Sequence, residues 1–139
     1  MVDLFRIAEQ EGIYVEYCNL PLNKSISAQD RNGQMILMDM SLISKQASER
    51  THFSHELAHC VTGSFYNPYA PLDIRQKHEN KANKWAIEHC ISVDALDEAV
   101  SDGCTEWWQL SERFGVTEDF VKKAVCWYTY GNVADELYF

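Results

Sequence analysis

The spacing of hydrophobic positions changes along the chain, and each change marks a predicted element. Residues 2–11 carry apolar side chains at helical spacing, and Gly12 ends that pattern. Residues 13–17 then alternate apolar and polar side chains, which predicts a strand. Two further strands are predicted at 25–29 and 34–40. A turn that contains Asn-Gly separates them, so we expect them to form a hairpin.

Helical spacing dominates the rest of the chain. The run from Lys45 to Thr62 contains neither Pro nor Gly, and Gly63 ends it, which predicts a long helix. The segment 64–76 holds two prolines among aromatic residues and is predicted to be a loop. Four more helices are predicted, at 77–91, 92–103, 105–115 and 117–131.

The order of these elements indicates the fold class. A helix, a small sheet and then a run of helices is typical of an α+β domain, here with one small antiparallel sheet packed on the long helix. The chain has 139 residues and no Pro-rich or Gly-rich linker. We therefore expect a single domain over residues 1–139.

Charge and composition exclude some functions. The formal net charge is −9, which disfavours nonspecific binding to nucleic acids or to anionic membranes, because both require a basic face. The N-terminus lacks the apolar core of a signal peptide, and no apolar run reaches the ~20 residues of a membrane span. The chain has 5 cysteines and no C-x-x-C pair, so we expect reduced thiols in a cytoplasmic protein.

The predicted long helix contains a candidate metal site. His55 and His59 are four residues apart, so they project from one helix face and can reach one ion at ~2.0–2.1 Å. Glu56 lies beside that ion and can accept a proton from water, as in the H-E-x-x-H motif of zinc peptidases. His52 lies near the same face but outside the motif. The alternative is a solvent-exposed helix face that happens to carry two histidines.

A catalytic zinc needs a third protein ligand and one open position. A metzincin would place Gly and His three and six residues after His59, where this chain has Thr62 and Phe65. A gluzincin instead takes a glutamate from a later helix. Glu79, in the next predicted helix, is the best candidate, although a solvated surface acid is the alternative.

The residues around Glu79 support this choice. Ala82, Asn83 and Ala86 follow it at helical spacing, which places all four on one stripe. The alanines would let the two helices approach closely, and Asn83 is a candidate partner that orients a metal-bound histidine. The other imidazole and acidic side chains of this helix point away from the stripe, namely His78, Glu88 and His89.

A peptidase also needs a donor for the oxyanion of its transition state. Tyr66 and Tyr69 are the candidates, because they lie in the loop predicted after the long helix. A packing role near the prolines is the favoured alternative for each tyrosine.

The motif HELAH, followed by E-x-x-A-N-x-x-A from Glu79, resembles the ImmA/IrrE family of metallopeptidases of bacterial mobile elements and phages. The segments GIYVEY, ILMDMSL and LSERFGVTEDFVKKAV resemble the N-terminal sheet and the C-terminal part of that family. One departure is EHCISVDALDEA, which lacks the family's proline-containing apolar stretch and affects the wall of the cleft.

The resemblance implies a zincin-like fold and a zinc endopeptidase with one Zn2+ per chain. It also implies the partner, since members of the family cleave or otherwise inactivate a helix-turn-helix repressor. The net charge of −9 favours a basic partner independently. We expect no membrane partner and no direct binding to nucleic acid.

Two other functions remain open at this point. A protein with this fold can bind and inactivate a repressor without cutting it. The segment LSERFGVTEDFVKKAV also has the helix, glycine turn and helix of a DNA-binding motif, although acids offset its lysines and two packed core helices are favoured.

Overall fold

The computed structural model describes residues 3–43 and 45–130. Within these residues it contains six helices and three strands, and this confirms the α+β class. They are, in chain order, α1 (Leu4–Gln10), β1 (Tyr14–Tyr17), β2 (Ser25–Asp30), β3 (Gly33–Met38), α2 (Gln46–Thr62), α3 (Leu72–Cys90), α4 (Val93–Ser101), α5 (Trp107–Phe114) and α6 (Glu118–Tyr130). None of the described helices is both long enough and apolar enough to cross a bilayer.

The sheet is mixed, with strand order β1-β3-β2. β2 and β3 form the predicted antiparallel hairpin, but β1 pairs with β3 in parallel, so the prediction of a purely antiparallel sheet was wrong. The apolar strand β3 takes the centre, where both its edges are paired. The loop after β1 crosses to the far side of β3 before β2 begins, so β1 and β3 run in the same direction.

The register of the hairpin determines which side chains of β2 face the helices. Ser25 pairs with Met38, and Ser27 pairs with Ile36. Directly opposed residues share one face of a sheet. Both Ile36 and Met38 are fully buried, and α2 packs on β2 and β3. The two serines therefore lie on the face that is turned towards α2.

The helix α2 ends as the sequence predicts, with Gly63 in the left-handed region at φ 65°. The helix α3 begins at Leu72 and not at 77. The prediction of a loop was therefore wrong for residues 72–76, which form the first part of this helix. Pro71 immediately precedes the helix. Proline at a helix start loses no hydrogen bond, so this residue begins the helix instead of prolonging the loop.

α4 and α6 begin at their predicted capping residues, whereas α5 begins at Trp107 and not at the predicted Thr105. The Ser92 side chain accepts a hydrogen bond from the backbone N–H of Ala95 at the start of α4. Thr117 Oγ1 likewise accepts from the backbone N–H of Phe120, at 3.2 Å, at the start of α6. The predicted end of the last helix at Gly131 lies outside the described residues.

Candidate metal centre

The helix α2 places both histidines of the H-E-x-x-H motif on one face. His55 Nε2 and His59 Nε2 are 3.2 Å apart. The His59 side chain is only 7% exposed, whereas the His55 side chain is 32% exposed. One imidazole is thus embedded in the protein, and the other lies at the opening of a cleft.

Glu79 of α3 completes the group. Its Oε2 lies 3.1 Å from His55 Nε2, and its Oε1 lies 3.3 Å from His59 Nε2. The close approach of α3 to α2 depends on small residues, because Ala82 and Ala86 are almost completely buried. Among the described residues, these three side chains form the one group of acidic, imidazole or thiol ligands that can hold a metal ion.

The spacing of the ligand atoms fits a metal ion. A tetrahedral ion with bonds of about 2.0–2.1 Å separates its ligand atoms by about 3.3–3.4 Å. The closest contacts here are 3.1 Å from Glu79 Oε2 to His55 Nε2, 3.3 Å from Glu79 Oε1 to His59 Nε2 and 3.2 Å between the two Nε2 atoms, and one ligand atom from each residue lies within 4.8 Å of the others. The structure therefore brings the predicted ligands together at a spacing that one small cation can bridge.

The hydrogen bonding of His59 supports the same conclusion. Its Nδ1 lies 2.7 Å from the backbone carbonyl oxygen of Ser64, which can only accept, so Nδ1 carries the hydrogen. In the neutral ring Nε2 then presents a lone pair towards the Glu79 carboxylate. Two acceptors that converge on one point require a cation or a proton between them.

The electrostatics of the group are coupled. Burial disfavours the charged form of His59, but the Glu79 carboxylate outweighs this effect and raises the pKa of the imidazole. Burial also opposes ionisation of Glu79, yet hydrogen bonds from His55 and His59 hold the pKa of that carboxyl well below its usual range. Glu79 is therefore a carboxylate at neutral pH, as a metal ligand must be.

Tyr66 and Tyr69 occupy different environments. The Tyr66 hydroxyl donates a 2.6 Å hydrogen bond to Glu79 Oε1, and the residue lines the cleft. Burial and the Glu79 carboxylate raise the pKa of Tyr66 to about 12, so the hydroxyl keeps its hydrogen. Tyr69 is 94% exposed and does not line that cleft. Of the two oxyanion candidates, only Tyr66 is near the ligand group.

The role predicted for Asn83, as a partner that orients a metal-bound histidine, stays a prediction. Within the described part of the chain, no hydrogen bond joins its side chain to His55 or His59. The Ser64 carbonyl orients His59 instead. The left-handed cap at Gly63 turns the chain back over the last turn of α2, and this brings Ser64 to the ring. The helix-ending Gly63, four residues after the motif, was the available indication in the sequence.

Glu56 is 8% exposed, and both its carboxylate oxygens accept hydrogen bonds from β2. Ser25 Oγ donates to Oε2 at 2.7 Å, and Ser27 Oγ donates to Oε1 at 2.8 Å. His52 stays outside the ligand group, and its Nδ1 lies 3.5 Å from Ser25 Oγ. Neither serine was predicted as a site residue, although their alternate positions in a predicted strand are a weak signal for a shared face.

The candidate metal ligands and Glu56 line the same cleft, which has a volume of about 300 Å³. Its walls are β2, α2, the segment that follows α2, and α3. The cleft is open to solvent. The arrangement combines a site for a cation with an adjacent carboxylate that can accept a proton.

Comparison with known proteins assigns the chain to a family. The family model of the IrrE N-terminal-like domain, which describes peptidases, matches residues 8–125. This range includes the whole ligand group and both serines of β2. No curated protein and no solved structure gives a significant match to the chain. The matched range and the His-His-Glu group agree with the resemblance found in the sequence, and the chain belongs to the IrrE N-terminal-like domain family of metallopeptidases.

Proposed function

We propose that the protein is a zinc-dependent endopeptidase with one Zn2+ per chain. In this proposal His55, His59 and Glu79 bind the metal, and Glu56 is the general base. One observation carries the proposal: three ligand atoms converge within 4.8 Å of one another in a cleft that also contains the Glu56 carboxylate.

The choice of zinc rests on the chemistry of the ligands. Two imidazoles and one carboxylate form the set found in gluzincin peptidases, and three protein ligands leave a fourth position open. The absence of thiolates from the group disfavours a closed structural site, which typically uses cysteines. When bound, zinc supplies a Lewis acid that polarises the scissile carbonyl and acidifies a water molecule.

The residues of the chain perform the remaining steps. Glu56 accepts a proton from the attacking water and later donates it to the leaving amine. The Tyr66 hydroxyl is protonated at neutral pH, with a pKa of about 12, and it can donate to the oxyanion once it releases its hydrogen bond to Glu79 Oε1. The carbonyl of Ser64 maintains the His59 tautomer in which Nε2 carries the lone pair.

For the substrate, we propose a basic helix-turn-helix repressor of a phage or mobile element, present with the peptidase in the cytoplasm and encoded nearby. The net charge of −9 favours encounter with a basic protein. An open cleft of about 300 Å³ accepts only a short extended segment, so the cut must fall in an exposed linker or a locally unfolded region.

Incubation of the zinc-loaded protein with that repressor tests the proposal, with the products identified by mass spectrometry. We expect one or two discrete cuts, which a zinc chelator abolishes and Glu56→Gln prevents. Equal digestion of unfolded casein would indicate a general peptidase. A stable complex without cuts, insensitive to chelator, would indicate inactivation by binding alone.

A further inference from the structure

We propose that Ser25 and Ser27, the serine pair, fix the orientation of the Glu56 carboxylate in the cleft and act as positioning residues for peptide hydrolysis. The catalytic part of this inference rests on the proposed endopeptidase function. The contact between the serine pair of β2 and Glu56 of α2 can be tested without a substrate.

Each serine of the pair donates a hydrogen bond to a different oxygen of the Glu56 carboxylate. Ser25 Oγ lies 2.7 Å from Oε2, and Ser27 Oγ lies 2.8 Å from Oε1. Hydrogen bonds to an ionised carboxylate are stronger than those between neutral groups. With one hydroxyl on each oxygen, rotation about the terminal bond of Glu56 would break both hydrogen bonds, so the plane of the carboxylate is fixed.

The contact with Glu56 explains why two polar residues occupy a face of the sheet that is covered by a helix. Met38 and Ile36, its cross-strand partners, are 0% exposed and pack in the core. Apolar side chains are the usual occupants of a sheet face that is covered by a helix. β2 carries hydroxyls there, at the two positions from which a side chain reaches Glu56.

The contact also leaves Glu56 able to react. A carboxylate offers about four acceptor positions, and the serine pair uses one on each oxygen. A free position therefore remains on each oxygen to accept the proton of water. An oriented base is more effective than a mobile one, because small displacements from the reactive geometry can lower a rate by ~10²-fold.

The kinetic test compares Ser25→Ala, Ser27→Ala and the double variant on the repressor substrate. We expect kcat to fall about tenfold for each single variant and about a hundredfold for the double variant, with KM and zinc content unchanged. Ser27→Thr keeps a hydroxyl and should restore most of kcat. Wild-type kcat in the double variant, or an effect on KM alone, would overturn the positioning role.

Gln29→Ala is the matched control. Gln29 lies on the same strand, is exposed, and accepts a hydrogen bond from Gln34 Nε2 at 2.8 Å. The variant also removes a side-chain hydrogen bond from β2, but away from Glu56, so kcat should stay at the wild-type value. An equal fall of kcat in Gln29→Ala would show that β2 is merely sensitive to substitution, and this would contradict the proposal.

A double-mutant cycle in the metal-free protein tests the contact independently of activity. The unfolding constants of Ser27→Ala, Glu56→Ala and the combined variant should be non-additive, with a coupling of about tenfold or more. Additive effects would overturn the contact. If wild type cuts nothing while the cycle is non-additive, the endopeptidase function fails and the orienting contact stands. If wild type cuts the repressor and the cycle is additive, the endopeptidase function stands and the orienting contact fails.

Discussion

Two helix pairs of the molecule differ in what they bury. α2 and α3 bury alanines and other apolar side chains, and α2 also buries the polar side chains of Glu56 and His59. α5 and α6 bury large apolar side chains instead, namely Leu110, Phe114, Phe120 and Val121. Burial of polar groups costs free energy unless they find partners, whereas apolar burial is favourable on its own.

The difference distinguishes a functional interface from a packing interface. Packing explains every buried residue of α5 and α6, and Lys122 lies over the ring of Trp107, 5.9 Å from its centroid. The buried faces of α5 and α6 are those of two packed core helices, and the expectation that the pair does not bind DNA stays a prediction. In α2 and α3 the side chains of His55, His59 and Glu79 converge closely enough that they could hold one cation, and Glu56 lies beside them in the same cleft.

The largest expected effect is loss of the metal. His59→Ala removes the buried ligand, so zinc content should fall from about one equivalent to well below half of one after dialysis. Elemental analysis measures this directly. His89→Ala is the control, because His89 lies on α3, is exposed and stacks on Trp85. If His59→Ala retained a full equivalent of zinc, His59 would not be a ligand, and the proposed functional difference between the two helix pairs would be wrong.

Glu56→Gln should leave zinc in place and remove the chemistry. The amide preserves the size of the side chain but cannot accept a proton, so we expect the rate to fall by ~10²–10⁴. Single-turnover kinetics with zinc-loaded protein measure the loss. A variant that cuts at the wild-type rate would mean that another group is the base.

Leu110→Ala tests the packing interface. Removal of a buried leucine should lower the free energy of unfolding by about 2–5 kcal/mol, measured by chemical denaturation. The folded variant should bind zinc with wild-type affinity, because α5 contributes no ligand. A marked loss of zinc affinity in the folded protein would show that the two helix pairs are energetically coupled.

Ala82→Leu tests the interface between α2 and α3, and it enlarges a buried side chain where Leu110→Ala truncates one. A larger side chain at this buried position should destabilise the protein by about 1–3 kcal/mol and move Glu79 away from the histidines. Zinc affinity, measured by competition with a chelator, should therefore fall as well. Lys81→Leu, at an exposed position of the same helix, should change neither property appreciably.

The smallest effect concerns the surface of α6. Lys122→Ala removes the contact with Trp107, for which we expect a loss of about 0.5–1 kcal/mol in stability. We also expect neither wild type nor variant to shift duplex DNA in a mobility assay. Salt-sensitive DNA binding that weakens in Lys122→Ala would return the helix-turn-helix interpretation to consideration.

The convergence of His55, His59 and Glu79 could be predicted from helical periodicity in the sequence. Helical geometry alone places His55 and His59 on one face, and the stripe from Glu79 to Ala86 predicts which side of α3 meets them. Gly63 predicts where α2 ends. These features depend on neighbours within a few turns of chain, so the sequence contains enough information to locate them.

Contacts between distant segments were not predictable in this way. The parallel pairing of β1 with β3 depends on the path of the intervening loop. Ser25 and Ser27 reach Glu56 from 31 and 29 residues away, and no local pattern marks such a contact. The early start of α3 was missed for another reason, since Pro71 serves equally well as a loop residue and as a helix start.

The most direct test of the metal centre is anomalous X-ray diffraction at the zinc absorption edge, on crystals of the zinc-loaded protein. We predict one peak within about 2.0–2.2 Å of His55 Nε2, His59 Nε2 and a Glu79 carboxylate oxygen. A peak bound elsewhere, or a Glu79 side chain turned away from the two histidines, would contradict the account.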